Sequence, residues 1–310
     1  MSSKTNQITL EPKKSKLSRI LSDNMGLMYV LPWLIGFLVF KLFPFASSLY
    51  YSFSDKTLFG GDPTKWGFFN YIFAFTDKRT FTSLKTTFKY VLMTVPLKMV
   101  AALFIAYILN FKIKFVNAFR TAYYIPSILG GSVAIAVLWR AMFSDDGLMN
   151  SALDIIGIDG PSWLSDPSYA LFIICLLRVW QFGSAMVIFL AALKGVPNDL
   201  YEAATIDGAS KWKQFISITV PMISPVIFYN LVTQLIQAFQ EFNGPQIITQ
   251  GGPRHSTTLI SMLIYGYGIK QYEIGLAGAL SWIMFLIIMI LSIIAFKSQG
   301  SWVYYGDERK

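Results

Sequence analysis

Tyr201-Glu202-Ala203-Ala204-Thr205-Ile206-Asp207-Gly208-Ala209-Ser210 is a polar interruption between two long apolar runs, Ala170 to Leu193 and Phe215 to Phe239. Runs of that length match a bilayer, whose hydrocarbon core of about 30 Å takes roughly 20 helical residues. Outward from this stretch lie four more: Leu27 to Leu49, Phe88 to Leu109, Ala122 to Met142 and Leu276 to Phe296. All six are continuous, whereas a β-barrel needs short segments that alternate. The expected fold is an all-α integral membrane protein: a single domain of six transmembrane helices over residues 27–296, with a polar loop at about 194–221.

Composition agrees. Apolar residues make up 54% of the chain and charged residues 14%, and the mean hydropathy is +0.51. Residues 1–26 form a basic tail with no cleavable apolar core or small-residue processing site, and residues 297–310 a second short tail. An even number of spans leaves both termini on one side. Lys4, Lys13, Lys14, Lys16 and Arg19 mark that side as cytoplasmic. Lys112, Lys114 and Arg120 in the second connection agree, as do the acidic residues Asp145, Asp146, Asp154, Asp159 and Asp166 of the third. Lys56, Lys65, Lys78 and Arg79 oppose the assignment, since they fall in the first external loop. The net charge of +9 calls for no nucleic acid, because basic residues at membrane ends meet anionic lipid headgroups.

Cysteine and histidine occur once each, as Cys175 in a span and His255 in a loop, so neither a disulfide framework nor a clustered metal site can form within this chain. Cys175 reads as a packed or lipid-facing residue and His255 as a surface residue.

The interruption itself reads as an elbow. Asn198 to Asp207 suits a short helix, and Gly208 can take a positive φ at its end. Trp212, Phe215, Ile216 and Val220 then recur at helical spacing and give the second half one apolar side, with Lys211 and Lys213 elsewhere. By polarity alone a solvated amphipathic connector fits equally well.

The order of residues adds more. Glu202-Ala203-Ala204, Asp207-Gly208-Ala209, Phe215, Ile218, Pro221 and Pro225 resemble the EAA motif of permease subunits in binding-protein-dependent ABC importers. Arg120-Thr121-Ala122-Tyr123-Tyr124-Ile125-Pro126, followed by Trp139-Arg140, Phe143, Gly147 and Asn150, is similar to the carbohydrate-importing branch. So is Thr249-Gln250-Gly251-Gly252-Pro253 with Ser256-Thr257-Thr258. The similarity covers about residues 28–304; Gln250 departs from it, standing where the family often has glycine, and the basic tail carries no motif of the family.

The resemblance implies a cytoplasmic coupling helix in which Tyr201, Glu202, Ala203, Ala204, Asp207, Gly208, Ala209, Trp212 and Phe215 dock on an ATPase. Glu202 would accept hydrogen bonds that fix the first helix, Gly208 would permit the turn, and Trp212 and Phe215 would anchor the second helix to the membrane body. It also implies a heterodimer with a second permease, two ATPase subunits holding ATP and Mg, an extracellular binding protein, and a sugar as cargo, with no cofactor on this chain.

Polar side chains at Asn230, Gln234, Gln237 and Glu241 fall within about 60° of one another at 100° per residue, a stripe on an otherwise apolar helix. Amides at membrane depth face protein or a water-filled path and suit sugar hydroxyls, although they can equally bridge helices. Trp180, Gln181 and Tyr229 are further candidates for the pathway. Lys41, Lys98 and Arg178 also fall inside spans, Arg178 deepest, where it could form an intersubunit ion pair or line the pathway.

Two other classes compete. A self-contained ion-coupled transporter would place carboxylates at mid-span, and none of the six runs has one at its centre. An intramembrane enzyme needs a nucleophile with a base, or a metal cluster, which one His and one Cys do not supply. The chain also lacks a Gly-x-x-x-x-Gly-Lys-Ser/Thr loop, so ATP must be handled by another subunit.

Overall fold

The computed structural model describes residues 25–111 and 114–306; Lys4, Lys13, Lys14, Lys16, Arg19 and Lys112, on which the charge argument drew, lie outside them, as do residues 307–310. The N-terminal unit, up to Tyr50, is one apolar rod. In it α1 (Met25–Phe37) runs through a π-helical turn at Leu38–Leu42 into α2 (Phe43–Ser52). Lys41 sits in that turn, and Trp33 stacks on Phe37 with ring centroids 5.5 Å apart.

From Tyr51 the chain forms a second unit. A short α3 (Phe69–Thr76) precedes α4 (Lys78–Asn110), the 33-residue helix on which the unit is built. Asp77 starts α4 as its N-cap, accepting from Thr80 N at 2.9 Å and so satisfying one of the free N–H groups of a helix start. Next come α5 (Val116–Leu129), α6 (Val133–Met142), α7 (Leu148–Ile155), α8 (Pro167–Trp180) and α9 (Gly183–Lys194). They are followed by α10 (Asn198–Ile206), α11 (Lys211–Gln214), α12 (Ser224–Phe239), α13 (Asn243–Ile248), α14 (Ile260–Tyr265) and α15 (Ile274–Trp302).

Helix α4 packs against α8, α9 and α12. Its last turns carry Ala102 and Ala106, fully buried against Ala185, Met186 and Phe189 of α9. Small residues there let two backbones approach closely, which is what holds helices together in lipid. Its middle turns bury Tyr90, Val91 and Val95 with Trp139, Ile173, Ile174 and Phe239. Cys175 lies in the same cluster with no exposed surface, and is therefore packed rather than lipid-facing. His255 is exposed in the loop before α14, as expected.

Three segments, Tyr29–Ser52, Lys78–Asn110 and Ile274–Trp302, are each long and apolar enough to cross a membrane, and three bent pairs bring the number to six if each pair is one span. The bends fall within three of the apolar runs. The third run does not pass straight from Ala122 to Met142. It turns by 103° between α5 and α6, at Gly130-Gly131, where Ser132 recaps the chain by accepting from Ala134 N at 3.2 Å. The fourth bends by 46° between α8 and α9, and the fifth by 67° at Ile223, between Pro221 and Pro225. Prolines at both sides of that joint remove backbone donors, the physical reason for a bend there.

Candidate functional site: a polar cavity at three helix breaks, and an exposed elbow

Two of the breaks are fastened to each other. Ser127 Oγ, in the last turn of α5, donates to Gln181 O at 3.1 Å and accepts from Ser184 N at 3.0 Å, so one hydroxyl serves backbone groups freed where α8 gives way to α9. A Cβ on Gly183 would strike the carbonyl of Tyr123 and lie 2.8 Å from Tyr124 Cα, which explains the glycine. Gly130 faces the Gln181 side chain in the same way.

The third break is the end of α12. The helix stops at Phe239, so Glu241 lies beyond it and does not continue the 100° progression of Asn230, Gln234 and Gln237. The chain turns there and brings Glu241 onto α8. Its Oε2 pairs with Arg178 Nε at 2.7 Å, and its Oε1 accepts from Gly244 N at 3.0 Å at the start of α13. The carboxylate is 7% exposed and the guanidinium 23%. Arg178 is thus paired within its own chain, which replaces the intersubunit pair as the reading of this residue. Arg178 Nη1 also donates to Gln181 Oε1 at 2.9 Å.

Around this pair opens a cavity of about 280 Å³, lined by Gly130, Gly131, Arg178, Gln237, Gln240, Glu241, Phe242 and Asn243. Behind Arg178 a void of about 10 Å³ is walled by Tyr90, Thr94 and Lys98 of α4 together with Gln234 and Gln237.

The candidates therefore separate. Gln237 and Glu241 line the cavity, Gln234 stands at the void behind it, and Gln181 reaches it through Arg178 and Gly130. Asn230 is buried and donates to Val226 O at 3.1 Å on its own helix, a helix-satisfying bond rather than a lining position. Trp180 lies against Trp139, centroids 5.7 Å apart, and Tyr229 is exposed on another face of α12; neither lines the cavity. The expectation missed Gln240, Asn243 and the glycine pair, and had Lys98 as a charge inside a span without placing it beside Arg178. Tyr90, Thr94 and Lys98, four residues apart on one face of α4, were the readable signal.

The elbow is built from α10 and α11. Gly208 joins them at φ +74°, with its N–H on Thr205 O at 3.1 Å and Ala209 N on Ala204 O at 2.9 Å, a left-handed helix stop that favours glycine. Ser210 caps α11 by accepting from Lys213 N at 3.3 Å. Two side chains hold the elbow from inside. Gln214, buried, donates to Thr205 Oγ1 and to Ala209 O, both at 3.0 Å, and the Tyr201 hydroxyl bonds Thr219 Oγ1 at 2.8 Å. Nothing in the sequence pattern had singled out Gln214.

Glu202 and Asp207 are exposed, and Glu202 makes no side-chain hydrogen bond among the described residues, so it does not fix α10 from within. Phe215 packs edge-on against Tyr107 of α4 at 4.9 Å, but Trp212 is 70% exposed, stacked on Phe215 and lining a groove with Val100, Leu103, Phe104 and Tyr107 of α4. The expected pair of anchors is one anchor and one largely exposed ring. A π-helical turn, Phe215–Thr219, then carries the chain toward α12 and shifts the helical register between them.

No group of three His, Cys, Asp or Glu able to hold a metal ion occurs among the described residues. Residues 68–300 match the family described as binding-protein-dependent transport system inner membrane component. The chain belongs to this family. It is 44% identical over 304 residues to the probable ABC transporter permease protein YesP of Bacillus subtilis (strain 168), covering 96% of this chain and 97% of that one. To the arabinooligosaccharides transport system permease protein AraP of the same organism it is 31% identical over 279 residues, 88% of each chain. In fold it is similar to a chain of a bacterial alginate ABC transporter crystallised with a pentasaccharide-bound periplasmic protein, with a TM-score of 0.80, 22% identity, and 92% and 97% of the two chains covered. As a permease of this family it is a multi-pass component of the inner membrane, a transport subunit rather than an enzyme, and it works with a substrate-binding protein and an ATPase.

Proposed function

We propose that this permease imports an oligosaccharide, driven by ATP hydrolysed on separate subunits to which it is coupled through the elbow. The observation that carries the reading is the polarity of that elbow: Tyr201, Gln214 and Phe215 face inward and hold it, leaving Glu202, Ile206 and Asp207 exposed on the outer side with no side-chain partner among the described residues. A rigid two-helix elbow with an unoccupied outer face suits a groove on another protein. The sugar rests on the relatives, among them an arabinooligosaccharide permease, and on a cavity rich in amides.

In this reading the chain pairs with a second, different permease, and two ATPase subunits hold ATP and Mg. Both termini and the elbow are cytoplasmic, and a binding protein delivers cargo on the opposite side. The cargo path runs past Gln237, Glu241 and Arg178. The test is ATPase activity of the complete assembly in proteoliposomes, with sugar-loaded binding protein added. Stimulation that disappears in Glu202→Ala or Gly208→Val variants supports the reading. Uptake by the chain alone without nucleotide replaces it with an ion-coupled carrier.

A further inference from the structure

A second cavity, separate from the polar one, opens on the elbow side of the body. It measures about 510 Å³ and lies between the early turns of α5 and the last turns of α9. Arg120 of α5 and Lys194, the final residue of α9, both line it, and no carboxylate does. Neither cation forms an ion pair among the described residues. Arg120 Nη1 donates to Asn117 Oδ1 at 3.2 Å and Nη2 to Leu109 O at 3.3 Å, while its Nε is closed off from solvent with no acceptor among the described residues. Two like charges at one cavity, one of them a guanidinium short of acceptors, call for an anion.

The rest of the wall is of another kind. Val187, Leu190 and Ala191 run back from Lys194 along one face of α9 at spacings of three and four, away from the elbow and into the span. Thr121 and Tyr124 of α5 close the other side and bring hydroxyls. The cavity thus has a basic end beside the elbow and an apolar wall leading into the membrane. A free phosphate would meet the cations and leave that wall bare, and a zwitterionic headgroup would bring a cation of its own. An anionic phospholipid answers both ends, since basic pockets between membrane helices favour acidic headgroups and guanidinium favours phosphate.

We propose that this cavity binds one anionic phospholipid, its phosphate seated between Arg120 and Lys194 and an acyl chain lying along Val187, Leu190 and Ala191. The lipid ties α5 to α9 where only Gly195, Val196 and Pro197 separate it from the start of the elbow at Asn198, so it braces the root of that element.

The test is native mass spectrometry of the whole permease–ATPase assembly, delipidated in detergent and titrated with phosphatidylglycerol or with phosphatidylcholine. One saturable phosphatidylglycerol is expected, held at least about tenfold more tightly than phosphatidylcholine. Lys194→Gln should weaken it by about fivefold, the share of one basic residue, whereas Lys297→Gln, at an exposed lysine outside the cavity, should leave it unchanged. Ala191→Trp keeps every charge but fills the apolar wall, and should also weaken it. Equal retention of the two lipids by the wild type overturns the proposal. So does a preference that Lys297→Gln reduces as much as Lys194→Gln, which is general surface charge, or one that Ala191→Trp leaves intact, which is anion binding without a lipid chain. Competition in the wild type needs no variant: phosphatidylglycerol that stays bound in millimolar inorganic phosphate supports the site, and its displacement overturns it. Absence of any saturable lipid, the outcome if another subunit covers this face, overturns it as well.

Discussion

Gly208 and Gln214 show how a single residue sets the elbow. No atom lies within 4 Å of a Cβ placed on Gly208, so its substitution is opposed only by the backbone at φ +74°. Gly208→Ala is expected to cost about 1 to 2 kcal/mol and to lower the coupling of hydrolysis to transport. Gly208→Asn, which tolerates the left-handed region better, should recover most of it, as read by sugar moved per ATP consumed. Gln214→Leu leaves a part-buried carbonyl and a hydroxyl without their donor, a loss of about 1 kcal/mol. It should show as faster hydrogen exchange over residues 198–210, without loss of the membrane body. The Arg178–Glu241 pair behaves differently from either. Arg178→Met or Glu241→Gln alone is expected to destabilise by about 3 to 5 kcal/mol, and the double variant by less than the sum, because each single change strands a buried partner. Melting of the purified assembly measures this. Of these residues, the glycine was legible because a helix stop has a composition. The glutamine was not, because its importance comes from two partners, Thr205 and Ala209, that only the turn brings to it.

At the scale of elements, the long apolar runs were readable, and each is found as helix. Their breaks were less so. Gly130-Gly131 and the prolines at 221 and 225 are local signals, and bends occur at both. The break at Gln181-Phe182 carries only the single Gly183 beside it; it is held open by Ser127 from another helix, which no window along the chain can reveal. The carboxylate of Glu241 was placed on a helical stripe because its spacing continues the helical period of Asn230, Gln234 and Gln237, whereas the helix ends at Phe239. Gly183→Leu, set against the Tyr123 backbone, is expected to prevent α5 and α9 from packing and to deplete the protein from membranes; Gly131→Ala, with no atom within 4 Å of its Cβ, should be tolerated. A further element-level prediction concerns the loop at 54–67, where Asp55 accepts from Thr64 and Lys65 and its carboxyl is held below its ordinary value, chiefly by the Thr64 side chain. A lowered pKa means the ordering is fully present above the ordinary carboxylate value and is lost as pH falls through the depressed one. Protease protection of the loop should therefore fade only below about pH 4, and Asp55→Asn should remove that pH dependence.

For the whole molecule, composition and hydropathy already gave the class, a bundle of membrane helices, and the order of residues at the elbow gave the family. The polar cavity could not be read in the same way, since it joins Arg178, Gln237 and Glu241 from far-separated positions on helices that each look apolar. Between elbow and cavity stands α12, whose 16 residues make a rod of about 24 Å, so a push at one end can be felt at the other without any change in the cavity's own bonds. Ile206→Asp, at a ring-free and 86% exposed position, is expected to abolish co-purification of the ATPase while leaving the melting temperature of the permease unchanged. Retention of the ATPase would place the docking surface elsewhere. Cys175 has a practical consequence of its own. The only thiol in the sequence is sealed in the core, where a maleimide cannot reach it. The native protein is thus already a blank background for spectroscopy: a single cysteine introduced at Asp207 or Trp212 would carry a spin label or fluorophore, and the swing of the elbow during a transport cycle could be followed without first engineering any other residue away.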